Sequence, residues 1–277
     1  SDWSSDVCSS DLVSIQNYQP TTPAKPPEIK MPMHYFGTVQ TLLQKIERDL
    51  STKIIVYYVP GHRWISQSDP DYFAELLRGV NKYQKISLVV YSSGGDSMAC
   101  LRIASLLRHY CHEFEIIIPS MALSAATVLS LSADKIKFTP LGYIGPIDTQ
   151  LVNIKDEKLL NLGYSQISSD SFRRAREMLE KETKESGPYA ELSKHIHPLV
   201  IAEVDRLASR SKQTAIEMMK MHKTPFDMTK IEWIANHLVY DYPSHGFPIL
   251  YEEAKKIGLN TEMLDDSSSN DLWDLLK

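Results

Sequence analysis

"ISLVVYSSGGDSMACLRIASLLRHYCHEFEIIIP", residues 86–119, sets two apolar, β-branched runs on either side of a helical pattern. Residues 86–92 read as a buried strand, "SGGDSM" as a turn onto a helix N-terminus, 98–110 as an amphipathic helix and 114–119 as a second strand. Strands separated by a helix of this length are joined by a crossover and lie parallel, so the stretch predicts an α/β fold.

The alternation continues on both sides. Upstream, "KIIVYYV" (53–59) reads as a strand, followed by a loop with His62 and Pro70 and a helix over 71–83. Downstream, "SAATVLSLSA" is helical, "KIKFT" (135–139) is a strand, and "PLGYIGPIDTQ" (140–150) is a Pro/Gly-punctuated loop leading to "LVNI". Beyond residue 168 the pattern changes to charged helices over 170–185, 197–222 and 228–239, closed by a helix and a strand within 247–264. No internal repeat is visible.

The bulk numbers exclude several classes. The chain has 277 residues, 43% apolar and 23% charged, the balance of a globular protein. A formal net charge of −5, with no basic stripe interleaved with aromatics, argues against a nucleic-acid partner. Cys8, Cys100 and Cys111 are too few and scattered for a disulfide framework and match no zinc spacing, which points to a reducing, cytoplasmic setting and no zinc site. The apolar stretch from Phe114 to Ala133 approaches the ~20 residues that span a bilayer. Glu113, Glu115, Pro119 and recurring serines favour passage through a core instead.

The first twelve residues, SDWSSDVCSSDL, have neither the charged nor the apolar region of a signal peptide and read as a foreign lead. "QPTTPAKPPEIKMP" (19–32) carries five prolines and reads as an extended arm, so residues 1–39 are set apart from the fold. Such an arm is also a means of reaching a membrane-protein partner.

Within "PSMALSAATVLSLSADKI" (119–136), Ser120, Ser124 and Ser130 lie in an apolar run, where each unpartnered hydroxyl costs about 1–3 kcal/mol. Ser120 reads as a turn cap and Ser130 as a helix hydroxyl bonding back to a carbonyl. Ser124 opens a helix, which leaves the Ala125 N–H without an intrahelical partner. In "SGGDS", Gly94 and Gly95 permit backbone conformations that turn N–H groups outward, as in an anion-accepting nook. Together these features suit an attacking hydroxyl beside an oxyanion cradle.

Three segments, "SSGGDSMACLRIASLLR", "PSMALSAATVLSLSADKI" and "LGYIGPIDTQ", resemble in order and spacing the serine dehydrogenase proteinase family. Its relatives are signal peptide peptidase A and the Clp protease proteolytic subunit. "GPIDTQ" is the most specific piece, with Thr149 where the family usually has proline, and "SHGFPILYEEAKKIGL" (244–259) resembles its closing block. The resemblance spans residues 40–265, leaving 266–277 as a polar tail. It implies a crotonase/Clp-like spiral of βαβ units with long C-terminal helices, a serine endopeptidase acting on polypeptides without a cofactor, and a homo-oligomer.

By the same resemblance Ser124 is the nucleophile, with Gly94, Gly95 and Ala125 as oxyanion donors. The base is open to several readings. The Clp subunit places a histidine after the serine and an acidic residue before the terminal helix; here Asp148 occupies the first place, and Asp241 and His245 stand near the second. Signal peptide peptidases use a lysine, and here Lys181 and Lys184 lie beyond its register. The preferred constellation is Ser124, His245 as base and Asp148 as its orienting carboxylate.

Each of these residues also has a plainer role. Ser124 and Asp96 suit helix N-caps, Asp148 suits a loop seal and His245 a turn. His195 and His197 lack a third ligand and read as helix-start surface residues. Two other functions share the fold: acyl-thioester processing on coenzyme A, and a catalytically degenerate assembly subunit.

Overall fold

A strictly ordered parallel sheet organises the chain. The computed structural model describes residues 33–148, 150–152, 166–168, 174, 177 and 198–277. Residues up to Thr38 and from Val39 to Lys277 form two compact units, and all that follows concerns the second, apart from the first turns of one helix. Its elements are α1 (Met33–Asp49), β1 (Lys53–Tyr58), α2 (Asp69–Leu76), β2 (Tyr83–Tyr91), α3 (Ser97–Tyr110), β3 (Cys111–Ile118), β4 (Met121–Ala122), α4 (Ala125–Ser130), β5 (Lys135–Phe138) and β6 (Tyr143–Ile144). After the short β7 (Gln150–Val152) and β8 (Gln166–Ser168) come α5 (Pro198–Lys220), α6 (Met228–Tyr240), β9 (Ile249–Leu250), α7 (Tyr251–Lys256), β10 (Thr261–Met263) and α8 (Asp266–Leu276).

Five strands pair in the order β1-β2-β3-β5-β10, every pair parallel. A second sheet, β4-β6-β9, is built from two-residue strands, and Ser92 links the two sheets through its bridge to Ala122. Thus β3 in the large sheet runs into β4 in the small one and then into α4, and β5 runs likewise into β6. This is the expected α/β spiral. β7 and β8 form a separate antiparallel pair.

Right-handed crossovers between strands laid down in sequence order put their helices on one face of a sheet. That face carries Ile55, Leu88, Ile116 and Ile136, in register with one another and buried with Phe73, Ile103 and Leu107 of the helices. The opposite face needs another cover, supplied by both ends of the unit: Ile46 of α1 and Leu272 of α8 pack with Ile54, Val89 and Ile117. A Lys45–Asp271 ion pair at 2.6 Å joins these two helices.

The second face also carries a polar ladder. Thr52 bonds Ser87 at 2.9 Å, the Ser87 hydroxyl donates to Glu115 at 3.1 Å, and Lys137 meets Glu115 at 3.2 Å and Glu262 at 3.6 Å. Ser87, Glu115 and Lys137 are all buried, so each charge depends on its neighbour.

Several boundaries differ from those expected. The helix expected over 71–83 ends at Leu76, because Gly79 turns the chain at φ 72° and β2 begins at Tyr83. Helix α1 begins at Met33, inside the stretch expected to be extended. Residues 266–276, expected as a polar tail, form α8, capped by Asp265 through the Ser268 N–H at 2.8 Å and anchored by buried Leu272. Residues 1–32, most of the helix expected over 170–185, His195, His197, Lys181, Lys184 and Thr149 lie outside the described residues. Among the described residues no helix is long and apolar enough to cross a membrane.

Candidate active site

The end of β2 and the start of α4 meet at glycine. Ser92 exchanges backbone bonds with β4, its N–H reaching Met121 O at 3.1 Å and its carbonyl receiving the Leu123 N–H at 3.0 Å. The chain then turns through Gly94 at φ 117° and Gly95 at φ 143°. A Cβ on Gly94 would lie 2.9 Å from Ser124 Cβ, so glycine is what lets the two segments touch. A Cβ on Gly95 would overlap the backbone of Ile65, which is bonded on both sides: Ile65 N–H to Gly94 O and Asp96 N–H to Ile65 O, each 2.9 Å. Asp96 then caps α3 by accepting from Met98 N at 2.7 Å and Ala99 N at 3.1 Å.

Ser124 sits at φ 51°, ψ −116°. For a residue with a Cβ this costs on the order of 1–3 kcal/mol, and such strain concentrates at functional turns. Its side chain makes no capping bond, although it occupies the N-cap position of α4. The turn is held from behind, where buried Thr127 donates to Ala122 O at 2.7 Å and accepts the Gly145 N–H at 3.0 Å. Ser130 bonds back to Ala126 O at 2.8 Å, as expected of a helix hydroxyl.

Thr127 also fixes the loop after β6, which carries Asp148. The adjacent Ile147 N–H donates to Leu238 O near the end of α6 at 2.9 Å, and the turn following α6 carries His245. His245 Nδ1 and Asp148 Oδ1 are 2.7 Å apart, with the carboxylate side chain 5% exposed and the imidazole 21%. Against an ionised carboxylate Nδ1 carries the proton, which leaves Nε2 as an acceptor.

One cavity of about 290 Å³ is lined by Ser124, Asp148 and His245 together with Gly95 and Ala125. Of the three amides expected to face an oxyanion, the Gly94 N–H donates to Ser92 Oγ at 3.0 Å. The Gly95 and Ala125 N–H groups have no partner among the described residues. Asp241, the other acidic candidate, pairs instead with His237 at 2.6 Å on α6.

Sequence reasoning missed three features of the wall: Trp64, the Ser93 hydroxyl, which has no partner among the described residues, and Arg210. Trp64 and Arg210 come from a loop and a charged helix with no motif of their own. Ser93 stands beside the glycines, and its position before them was the available signal. Among the described residues no group of three His, Cys, Asp or Glu is arranged to hold a metal ion.

An uncharacterized protein of Methanocaldococcus jannaschii is 24% identical over 248 residues, 84% of this chain and 78% of the relative. Among solved structures, a mutant of the 1510-N membrane-bound stomatin-specific protease is similar at 16% identity and a TM-score of 0.46, over 80% of this chain and 83% of that one. ClpP1 from Listeria monocytogenes is similar at 14% identity and a TM-score of 0.44, over 83% of this chain and 96% of that one. Residues 37–172 match the model of the ClpP-like SDH-type serine proteinase family.

Proposed function

We propose that the chain is a serine peptidase in which Ser124 is the nucleophile, His245 the general base and Asp148 the carboxylate that orients it. The observation that carries this reading is one cavity holding a serine in a strained, positive-φ turn and a His–Asp pair bonded at 2.7 Å. In the acylation step Ser124 Oγ attacks the peptide carbonyl carbon as its proton passes to His245 Nε2. The carbonyl oxygen becomes an oxyanion facing the Gly95 and Ala125 N–H groups. Collapse of the tetrahedral species breaks the C–N bond, and the imidazolium returns the proton to the leaving amine. Water, deprotonated by the same imidazole, then hydrolyses the ester and frees Ser124.

Metal and nucleotide have no part in this scheme. A polypeptide substrate, a reducing cytoplasmic setting, self-association and a membrane-protein partner belong to the same proposal; sedimentation velocity and co-purification test the last two. The decisive experiment is reaction with a fluorophosphonate, followed by peptide mapping. Labelling at Ser124, lost in Ser124→Ala together with peptide hydrolysis, is the expected result. Full hydrolysis by Ser124→Ala, or labelling elsewhere, refutes the assignment.

A further inference from the structure

Helix α5 presents Leu207, Arg210 and Ser211 to the cavity, the i, i+3 and i+4 positions of a single helix face. The Arg210 guanidinium makes no hydrogen bond or ion pair among the described residues. Among the described residues, the charged and titratable groups sharing this cavity are Asp96, Asp148 and His245. Asp148 is taken by His245 at 2.7 Å. Asp96 is taken by the Met98 and Ala99 N–H groups and by Gln67 Nε2 at 3.1 Å. Burial opposes ionisation of Asp96, but its bonds to Ala99, Gln67 and Met98 outweigh that effect, with Arg210 the smallest contributor to a lowered pKa. Both carboxylates are thus committed to other partners, and the exposed Arg210 lines the same cavity as Ser124.

Resting on the peptidase reading above, we propose that Arg210 is a specificity residue that receives a carboxylate of the substrate. The cavity is at the small end of ligand pockets, so a carboxylate reaching Arg210 lies within one or two residues of the bond under attack. A guanidinium suits this task because its planar fork matches a carboxylate with two donors. Apolar Leu207, Val128 and Ile147 share the wall, while Arg210 itself is exposed, so the pairing forms in competition with solvent. The carboxylate has two sources, an acidic side chain or the free end of the peptide chain.

The test uses one peptide in four forms, with Glu or Gln beside the cleaved bond and a C-terminal acid or amide. Expected for the unmodified protein is a kcat/KM about tenfold or more higher for a form bearing the preferred carboxylate than for its neutral counterpart. A Glu-over-Gln preference among the amides assigns the side chain; an acid-over-amide preference among the Gln peptides assigns the chain end. Arg210→Gln collapses the ratio and Arg210→Lys restores part of it. No preference in the unmodified protein, or a ratio unchanged by Arg210→Gln, overturns the proposal. Binding of the same peptides to Ser124→Ala, measured by calorimetry with and without Arg210→Gln, reads the Arg210 preference without turnover. A carboxylate preference there alongside an unlabelled Ser124 would fault the peptidase reading and leave the Arg210 assignment standing, whereas equal binding of all four forms would fault Arg210 alone.

Discussion

Replacing Asp148 by Asn removes the charge beside His245 while keeping its size. Under the proposed assignment His245 accepts the Ser124 proton, and the imidazolium then stands against a carboxylate that is 5% exposed and bonded to it at 2.7 Å. With charge centres about 4 Å apart and an effective dielectric near 20, the attraction is about 4 kcal/mol. That stabilisation arises only as the imidazolium forms, so its loss raises the barrier of the chemical step by about the same amount, or about a thousandfold in kcat. The assay is peptide hydrolysis at saturating substrate, alongside the rate of fluorophosphonate labelling, with circular dichroism melting to establish that the variant folds. Both rates are expected to fall by about three decades with KM little changed. Adding Asp148→Asn to His245→Ala should cost little more, since residues acting as a unit are not additive. A loss under about tenfold in a folded Asp148→Asn variant means that another group orients the base, and the constellation is refuted.

Gly95→Ala forces a Cβ against the Ile65 backbone at φ 143° and breaks two 2.9 Å bonds, so a loss of about 2–4 kcal/mol is expected, with a raised KM as Trp64 shifts; an unchanged melting curve counts against it. Glu115→Leu removes the nearer partner of buried Lys137, leaving it Glu262 at 3.6 Å, and is expected to cost about 3 kcal/mol in chemical denaturation, whereas the Glu115→Leu/Lys137→Leu double variant recovers most of it. A double variant no more stable than the single one contradicts that account. Burial holds the His222 pKa below its ordinary value, against the opposing bond to Leu131 O at 2.7 Å. The neutral ring is therefore favoured in the fold: its contribution is complete above about pH 6.5 and fades as pH falls toward the lowered native value. His222→Gln should flatten the fall in Tm between pH 6.5 and 5.5 that this group imposes, and an equally steep fall in the variant discounts it.

The sequence revealed most where apolar periodicity was long. β2, α3 and β3 were legible because 86–92, 98–110 and 114–119 each satisfy one period, and the α/β class followed. Strands β4, β6 and β9 have two residues apiece, too few for any period to register, so the second sheet emerged only from pairing. Helix α8 was missed because Leu272 and Leu275 are scattered among Asp and Ser; its stability comes from the sheet face it covers. The helix over 71–83 was extended too far because Leu77 and Val80 continue the apolar pattern past the point where Gly79 turns the chain.

At the site, a serine after an apolar run and a Gly-Gly turn were readable letters. The positive φ of Ser124 was not, because a strained conformation at a residue other than glycine leaves no compositional mark. Arg210 and Trp64 reach the cavity by tertiary folding alone, from positions 86 and 60 residues away from Ser124 in the chain.

The bonded His–Asp pair is split across the chain, with Asp148 and His245 separated by 97 positions. A polypeptide still emerging from the ribosome therefore presents Ser124, the proposed nucleophile, long before the imidazole proposed to activate it. Only once the turn after α6 has been made and packed can the proton relay close, so that under the proposed assignment a chain cut short before that turn carries the serine without its base.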